Sequence, residues 1–305
     1  MSGVFAGFAT ITVIIAFGVL LGHLRVVDER GHRTLSTVAF FLASPALLFS
    51  VLQDSDLSRV FSGNLVAISA AVAATALVTL AAARWRRDDV GRTVIAMMCS
   101  SYCNAGNLGL PIAAYVLGDT ALIAPVLLLQ LLVLQPLALT ALDVAAAPGR
   151  VSLRQVLTRP LRNPITVASM AGIAVAVAGV EVPAAVNDPI ALLGGMAVPA
   201  MLLAYGVSLR LGPLPGRGVA PGELGLSVGL KLLAQPTVAY LVGLMLGLDQ
   251  DALLAVTVIS ALPTAQNVFV IASRYGRAEL LARDAIFVST LGCVPVVVAI
   301  VALVA

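Results

Sequence analysis

Long apolar runs follow one another along almost the whole chain, and they constrain the fold more than any other feature of the sequence. A helix needs about 20 predominantly apolar residues to cross the hydrocarbon core of a bilayer. Runs of roughly this length, separated by short polar loops, predict an all-α polytopic membrane protein with ten transmembrane helices. The predicted spans are 3–23, 34–52, 61–83, 92–117, 120–142, 163–180, 189–209, 224–247, 251–274 and 279–304.

The composition agrees with a membrane protein and argues against other classes. Of the 305 residues, 60% are hydrophobic and 11% charged, whereas a soluble domain is about half apolar and about a quarter charged. The 18 Lys and Arg are scattered over short loops, so we expect no nucleic-acid partner. Cys99, Cys103 and Cys293 lie in apolar runs without paired spacing, so we expect no disulfide, metal site or other cofactor. The first apolar run lacks a basic leader and is expected to remain as a span.

The positive charges of the loops predict the orientation. The odd-numbered loops and the span ends that border them carry 16 arginines, Arg92 and Arg283 among them, whereas the even-numbered loops carry Arg59 alone. Because cytoplasmic loops of membrane proteins are enriched in Lys and Arg, the odd-numbered loops are predicted to be cytoplasmic. Both termini are therefore predicted to lie on the extracytoplasmic side of the cytoplasmic membrane.

Two proline-containing segments recur at nearly equal spacing. "ASPALLFS" around Pro45 and "AVPAMLLA" around Pro199 place their prolines 154 residues apart, and Pro111 of "GLP" and Pro263 of "ALP" are 152 apart. The matching offsets indicate a duplication of five spans. Because five is odd, the second copy is inverted in the membrane, as in many secondary transporters. The predicted parts are a first repeat at 1–144, a basic cytoplasmic linker at 145–162 and a second repeat at 163–305.

The fourth and ninth predicted spans contain residues that interrupt a helix. The fourth contains "NAGNLGLP" and the ninth "ALPTAQNVFV". Proline removes an amide donor and glycine permits an unwound backbone, which a bilayer tolerates only inside protein or beside a cavity. We therefore predict that helices 4 and 9 are broken and cross, with half-helix N-termini directed at an anion, most simply a carboxylate. The candidate substrate-binding residues are Asn104, Asn107, Pro111, Pro263, Thr264, Gln266, Asn267 and Lys231.

The alternative interpretation of these prolines is a simple kink with capping amides. We favour that alternative for Pro45, Pro199, Pro236 and Pro295, and a binding site for the paired interruptions in spans four and nine.

Lys231, in "GLKLLAQPTVAY", has two interpretations. A lysine at mid-membrane costs about 2.5–3.5 kcal/mol on insertion scales, so it needs a partner, a cavity or a function. It is either a fixed cation that attracts an anionic substrate or responds to its binding, or a lysine that extends to the membrane interface.

These motifs resemble the auxin efflux carrier family, whose bacterial members are often described as malonate or malate permeases. The resemblance covers span number, inverted halves and motif placement, with Asn104 and Pro263 on the family's crossover asparagine and second proline. It implies a substrate carboxylate near the crossing of helices 4 and 9. It also implies a homodimeric scaffold of spans 1, 2, 6 and 7, and a mobile part of spans 3–5 and 8–10 that moves as an elevator. The long central loop of the plant auxin carriers is short here, so auxin is not implied.

The sequence thus predicts a secondary transporter of a small organic anion, surrounded by membrane lipid and coupled to a proton, to sodium or to neither. Two alternatives stay open: an exporter of the drug and metabolite type, which also has inverted five-span halves, and a membrane sensor without transport. An enzyme is not expected, because the predicted spans contain no cluster of His, Asp or Glu.

Overall fold

The computed structural model describes residues 2–54, 63–109, 112–147 and 164–304. These residues are helical apart from turns and short extended segments, and their only strand-like feature is an isolated antiparallel bridge between Cys103 and Thr264. In chain order the helices are α1 (Ser2–His23), α2 (Glu29–Gln53), α3 (Gly63–Arg86), α4 (Val90–Ser101), α5 (Pro125–Ala145), α6 (Pro164–Ala178), α7 (Ala184–Leu211), α8 (Pro221–Met245), α9 (Gln250–Ser260), α10 (Asn267–Tyr275) and α11 (Glu279–Val304).

Six of these helices, α2, α3, α5, α7, α8 and α11, are long and apolar enough to cross a membrane. Shorter apolar helices occupy α6, α9 and the Thr12–His23 part of α1. The prediction of an all-helical, multi-pass membrane protein is confirmed at this level. The ten crossings and the inverted repeat stay predictions.

The regions of the predicted fourth and ninth spans are discontinuous in the structure. After α4 ends at Ser101, an extended stretch leads into π-helical segments at Ala105–Gly109 and Ala113–Leu117. In the second half, α9 ends at Ser260 and α10 begins at Asn267. Each region therefore consists of helical pieces with non-helical backbone between them.

Three other prolines are accommodated inside continuous helices by a preceding π-helical turn. Proline lacks an N–H group, and its ring clashes with the carbonyl four residues earlier. The wider π turn removes that clash while the helix continues. The turns are Ala39–Ala43 before Pro45, Leu129–Leu134 before Pro136 and Leu230–Ala234 before Pro236.

Helices α1, α2, α6 and α7 pack together through glycines. A Cβ built on Gly18 of α1 would lie 2.9 Å from the Cα of Gly206 in α7, so the two backbones touch. A Cβ on Gly172 of α6 would lie 2.8 Å from the carbonyl oxygen of Phe49 in α2. Small residues allow this close approach where lipid provides no hydrophobic drive between helices. We call these four helices the glycine-packed group.

The remaining helices form a second packed group. Helix α8 lies against α3 and α9, while α4 contacts α3, α5 and α8, and α11 contacts α8, α9 and α10. The discontinuous regions of the chain belong to this second group. Its interior therefore has to provide hydrogen-bond partners for the backbone N–H and C=O groups that have no partner within their own helix.

Candidate functional site

The backbones between α4 and the following π segment and between α9 and α10 pair with each other. The Asn104 amide donates to the carbonyl of Pro263 at 2.8 Å, and the Ala265 amide donates to the carbonyl of Tyr102 at 3.1 Å. The pairing is the antiparallel bridge between Cys103 and Thr264. We call residues 102–104 and 263–265 the paired segments. They bring the two sequence motifs into direct contact, although the motifs are far apart in the chain.

Side chains satisfy several of the backbone groups that the paired segments leave open. Gln130 of α5 donates through Nε2 to the carbonyl of Cys103 at 2.8 Å. The amide of Thr264 donates to Oγ of Ser289 in α11 at 3.1 Å. The Thr264 hydroxyl donates to the carbonyl of Cys99 at 2.6 Å. Each unmet group would cost several kcal/mol in an apolar surrounding, so these bonds make the non-helical backbone tolerable there.

Two residues of α8 bind the C-terminal ends of α4 and α9. Lys231 Nζ lies 2.7 Å from the carbonyl oxygen of Ser260, the last residue of α9, and 2.7 Å from Oε1 of Gln235. Gln235 in turn donates through Nε2 to the carbonyl of Ser101, the last residue of α4, at 3.1 Å. Lys231 is 0% exposed, so it does not extend to a membrane interface in this structure.

A polar cluster lies where α10 begins. Oε1 of Gln135 accepts from the Tyr102 hydroxyl at 2.9 Å and from Nδ2 of Asn267 at 3.3 Å. The Asn267 Oδ1 atom is buried and accepts no hydrogen bond from the described part of the chain. Since an amide oxygen prefers a donor, this atom can accept one from a ligand or a water molecule.

The predicted site residues fall into two sets. Asn104, Thr264, Gln266 and Lys231 are buried around the paired segments, together with Pro263, and Asn267 is half-buried at the start of α10. Asn107 lies in the π segment Ala105–Gly109, but its side chain is outside the description, and Pro111 lies outside the described residues. The described interruption of the first half lies at residues 102–104, before Pro111 in the chain.

The sequence analysis missed four polar residues that contact the site, namely Gln130, Gln135, Gln235 and Ser289. A signal for the glutamines was present, because each stands in an apolar run, as in "LLLQLLVLQPLAL". An uncharged polar side chain in a span needs a partner inside the protein, and here that partner is an open backbone group or another polar side chain.

Buried charges were also missed. Asp284 in α11 is 0% exposed and pairs with Arg283, and its Oδ2 accepts from the Gly216 amide at 2.8 Å. Glu223 at the start of α8 is buried and binds Arg92 of α4 through Nη2 and, at 3.2 Å, through Nε. Arg92 and Arg283 belong to the cations of the loop pattern, but the structure places them in α4 and α11. Arg92 joins α4 to α8 through Glu223, and Arg283 pairs with its neighbour within α11.

A cavity of about 710 Å³ opens between the two packed groups. Helices α2 and α7 line it on one side, and α10 and α11 on the other. Its charged lining residues are Glu29, Arg33, Arg274, Glu279 and Arg283. Arg274 stacks on the ring of Phe41 in α2, with 4.8 Å from Cζ to the ring centroid, so the two groups touch through a cation–π contact here.

Comparison with known proteins identifies the class that this architecture belongs to. The family described as "Membrane transport protein" matches residues 4–146 and 148–301. The chain therefore belongs to this family, and the resemblance to the auxin efflux carriers is confirmed. It is a transport protein of the membrane and not an enzyme.

Two relatives are similar over almost their whole length. A protein of Rhizobium meliloti (strain 1021) named "Putative malonate transporter" is 30% identical over 289 residues, covering 90% of this chain and 89% of the relative. An "Uncharacterized transporter" of Methanothermobacter thermautotrophicus (strain ATCC 29096) is 27% identical over 290 residues, covering 92% of each.

Proposed function

We propose that this protein is a secondary transporter that moves a small carboxylate across the cytoplasmic membrane by alternating access at the paired segments. The observation that carries the proposal is the antiparallel contact of residues 102–104 with 263–265 in the interior of a membrane transport protein. Irregular backbone at membrane depth is characteristic of transporter binding sites, because half-helix ends supply partial charges there.

The chemistry around the paired segments suits an anion. Helix α10 begins at Asn267, so the positive end of its dipole lies at the site. The amide groups of Asn104, Asn107, Gln266 and Asn267 can donate to carboxylate oxygens, and Pro111 and Pro263 would set the breaks. The name of the Rhizobium meliloti relative supports a dicarboxylate such as malonate as the first substrate to test.

The packing supports ten crossings in two inverted repeats of five. In such a repeat spans one and two correspond to six and seven, and a twofold axis exchanges them. Helix α1 packs on α7, and α6 packs on α2. If α1, α2, α6 and α7 are spans one, two, six and seven, exchanging the two halves turns the first contact into the second. The antiparallel bridge is itself locally twofold. We therefore assign α4 with the π segments to span four and α9 with α10 to span nine, as broken crossing helices.

The division into two packed groups supports an elevator. In this proposal the glycine-packed group is the scaffold, and the second group carries the substrate past it. Exposed apolar side chains on α1 and α6, such as Phe17 and Met170, give the scaffold a surface for lipid or for a second copy in a homodimer. The positive-inside pattern of the loops supports an orientation with both termini on the extracytoplasmic side.

The experiment that tests this proposal is substrate flux into proteoliposomes. We expect wild-type protein to take up labelled malonate or another small carboxylate, and Asn104→Ala to lower the rate at least about tenfold through a lost donor. The backbone bonds of Asn104 do not need its side chain, so the variant should fold. Asn187→Ala is the matched control, because Asn187 bonds Gln53 in the glycine-packed group, away from the site.

Full flux in Asn104→Ala would contradict the site assignment. Binding of the carboxylate without flux would instead favour a sensor, and preference for cations or neutral amphiphiles would favour an exporter of the drug and metabolite type.

A further inference from the structure

Two helices end within one small region of the interior, and their C-terminal carbonyls converge on α8. Ser101 is the last residue of α4 and Ser260 the last of α9. The last carbonyls of a helix have no partner within it, and the C-terminal end carries a partial negative charge of about half an elementary charge. A positive charge between two such ends would stabilise both of them inside an apolar interior.

Lys231 supplies that positive charge, and Gln235 links it to the second helix end. The ammonium donates to the Ser260 carbonyl and to Oε1 of Gln235, each at 2.7 Å, and the Gln235 amide donates to the Ser101 carbonyl at 3.1 Å. Lys231 is 0% exposed and Gln235 is 1% exposed. Both stand on one face of α8, four residues apart, so a single helix binds both ends.

The oxygens around the ammonium are the ligands that an alkali cation takes in a transporter. Unwound carbonyls and half-helix C-termini commonly coordinate sodium in secondary transporters. An ammonium group carries the same charge and has three N–H donors that point at such oxygens. Because the ammonium group is part of the protein, it occupies this position without a sodium gradient across the membrane.

We propose that Lys231 is the resident cation of this site and that the carrier therefore needs no sodium ion there. Resting on the proposed function, this makes Lys231 and Gln235 positioning residues: they act through the backbone of Ser101 and Ser260, and Lys231 is not a ligand of the substrate. The paired segments keep their geometry through the transport cycle because α8 holds both helix ends.

The test compares two substitutions that remove the same charge but leave different space. Lys231→Ala leaves a cavity beside the Ser260 carbonyl, whereas Lys231→Met keeps an uncharged, unbranched side chain that is one atom shorter and fills most of that space. Thr237→Ala on the exposed face of α8 is the control, because the Thr237 hydroxyl bonds only within its own helix among the described contacts. Purified proteins are compared in sodium chloride and in choline chloride of equal ionic strength.

The first readout is thermal unfolding in detergent, which does not depend on any substrate. We expect the same unfolding midpoint in both salts for wild type and Thr237→Ala. Lys231→Ala should unfold at a lower temperature in choline and regain part of the loss in sodium, because a cation that binds the folded state stabilises it. Lys231→Met should be destabilised alike in both salts. A sodium-dependent midpoint in wild type, or equal midpoints for Lys231→Ala in both salts, would overturn the proposal.

The second readout is malonate flux in proteoliposomes. We expect wild-type flux to be equal with and without sodium, and both Lys231 variants to lose roughly tenfold to a hundredfold in maximal rate in choline with little change in KM. A raised KM with an unchanged maximal rate would mark Lys231 as a direct substrate ligand and overturn the positioning role. If wild type carries no small carboxylate at all, the proposed function fails, while the unfolding measurement still decides the role of Lys231.

Discussion

Single buried polar residues meet the needs of the backbone at the candidate site. Thr264 and Lys231 could be selected from the sequence, because they stand beside a break or alone in an apolar run. Their partners could not be selected, since a sequence does not specify which face of a helix meets which backbone group. Gln130 and Gln235 have the same local context as a lipid-facing glutamine would have, and only the packing places them against Cys103 and Ser101.

The same limit explains why the buried acids were missed. Asp284 and Glu223 stand close to the ends of apolar runs and look like loop residues. The structure buries both against arginines, Asp284 with Arg283 and Glu223 with Arg92. A charge near a predicted span end can thus lie inside the protein, and span boundaries read from hydropathy do not resolve the difference.

The Glu223 ion pair should contribute to stability. We expect Glu223→Gln to lower the free energy of unfolding by about 1–3 kcal/mol, because the substitution removes the buried carboxylate and leaves the Arg92 guanidinium only the more distant carboxylate of Asp88, at 3.8 Å. The matched control is Glu29→Gln, since Glu29 pairs with Arg33 across 4.0 Å in a pair that is more than three quarters exposed. Such exposed pairs contribute little. Thermal unfolding in detergent measures the stability of both variants. Equal unfolding midpoints for Glu223→Gln and Glu29→Gln would contradict the role of Glu223.

At the scale of helices, the sequence specifies where a helix is interrupted better than it specifies how. Pro45, Pro136 and Pro236 lie in continuous helices because a π turn precedes each of them. Pro263 has the same chemistry but stands in a non-helical segment, where its carbonyl pairs with Asn104. Neighbouring polar residues distinguish the two outcomes: "ALPTAQN" supplies partners for an open backbone, whereas "ASPALLF" does not.

The contact between α1 and α7 depends on glycine. A Cβ at Gly206 would overlap the carbonyl oxygen of Ile15, so Gly206→Ala must push the helices apart. We expect a loss of about 1–3 kcal/mol in unfolding free energy, typical of overpacking. Gly195→Ala, in the same helix, is the control, because a Cβ there meets no atom within 4 Å. It should leave the unfolding midpoint unchanged or raise it slightly. Equal midpoints for the two variants, or an equal loss in both, would contradict the packing account, because helix propensity favours alanine over glycine at either position.

At the scale of the whole molecule, the proposed elevator would move the second packed group relative to the glycine-packed group. The glycine-packed group is held by backbone contacts that a side chain would disrupt, whereas its contacts with the second group border a cavity of about 710 Å³. The sequence predicted the membership of both groups only through the resemblance to auxin efflux carriers. Hydropathy alone cannot assign neighbours, because every span looks similarly apolar.

The most direct measurement of alternating access is thiol accessibility beside the paired segments. Gly106 is exposed, and a Cβ there meets no atom within 4 Å, so Gly106→Cys should be tolerated. The substitution is made after Cys99, Cys103 and Cys293 are replaced by alanine, and retained malonate flux establishes that the variant is active. An impermeant thiol reagent is then applied from each side of oriented membranes, with and without malonate.

Alternating access predicts that the Gly106→Cys thiol reacts from both sides of the membrane and that malonate slows the reaction from both. The proposed mechanism would be contradicted by reaction from one side only, or by reaction that malonate leaves unchanged, in a variant that still transports malonate.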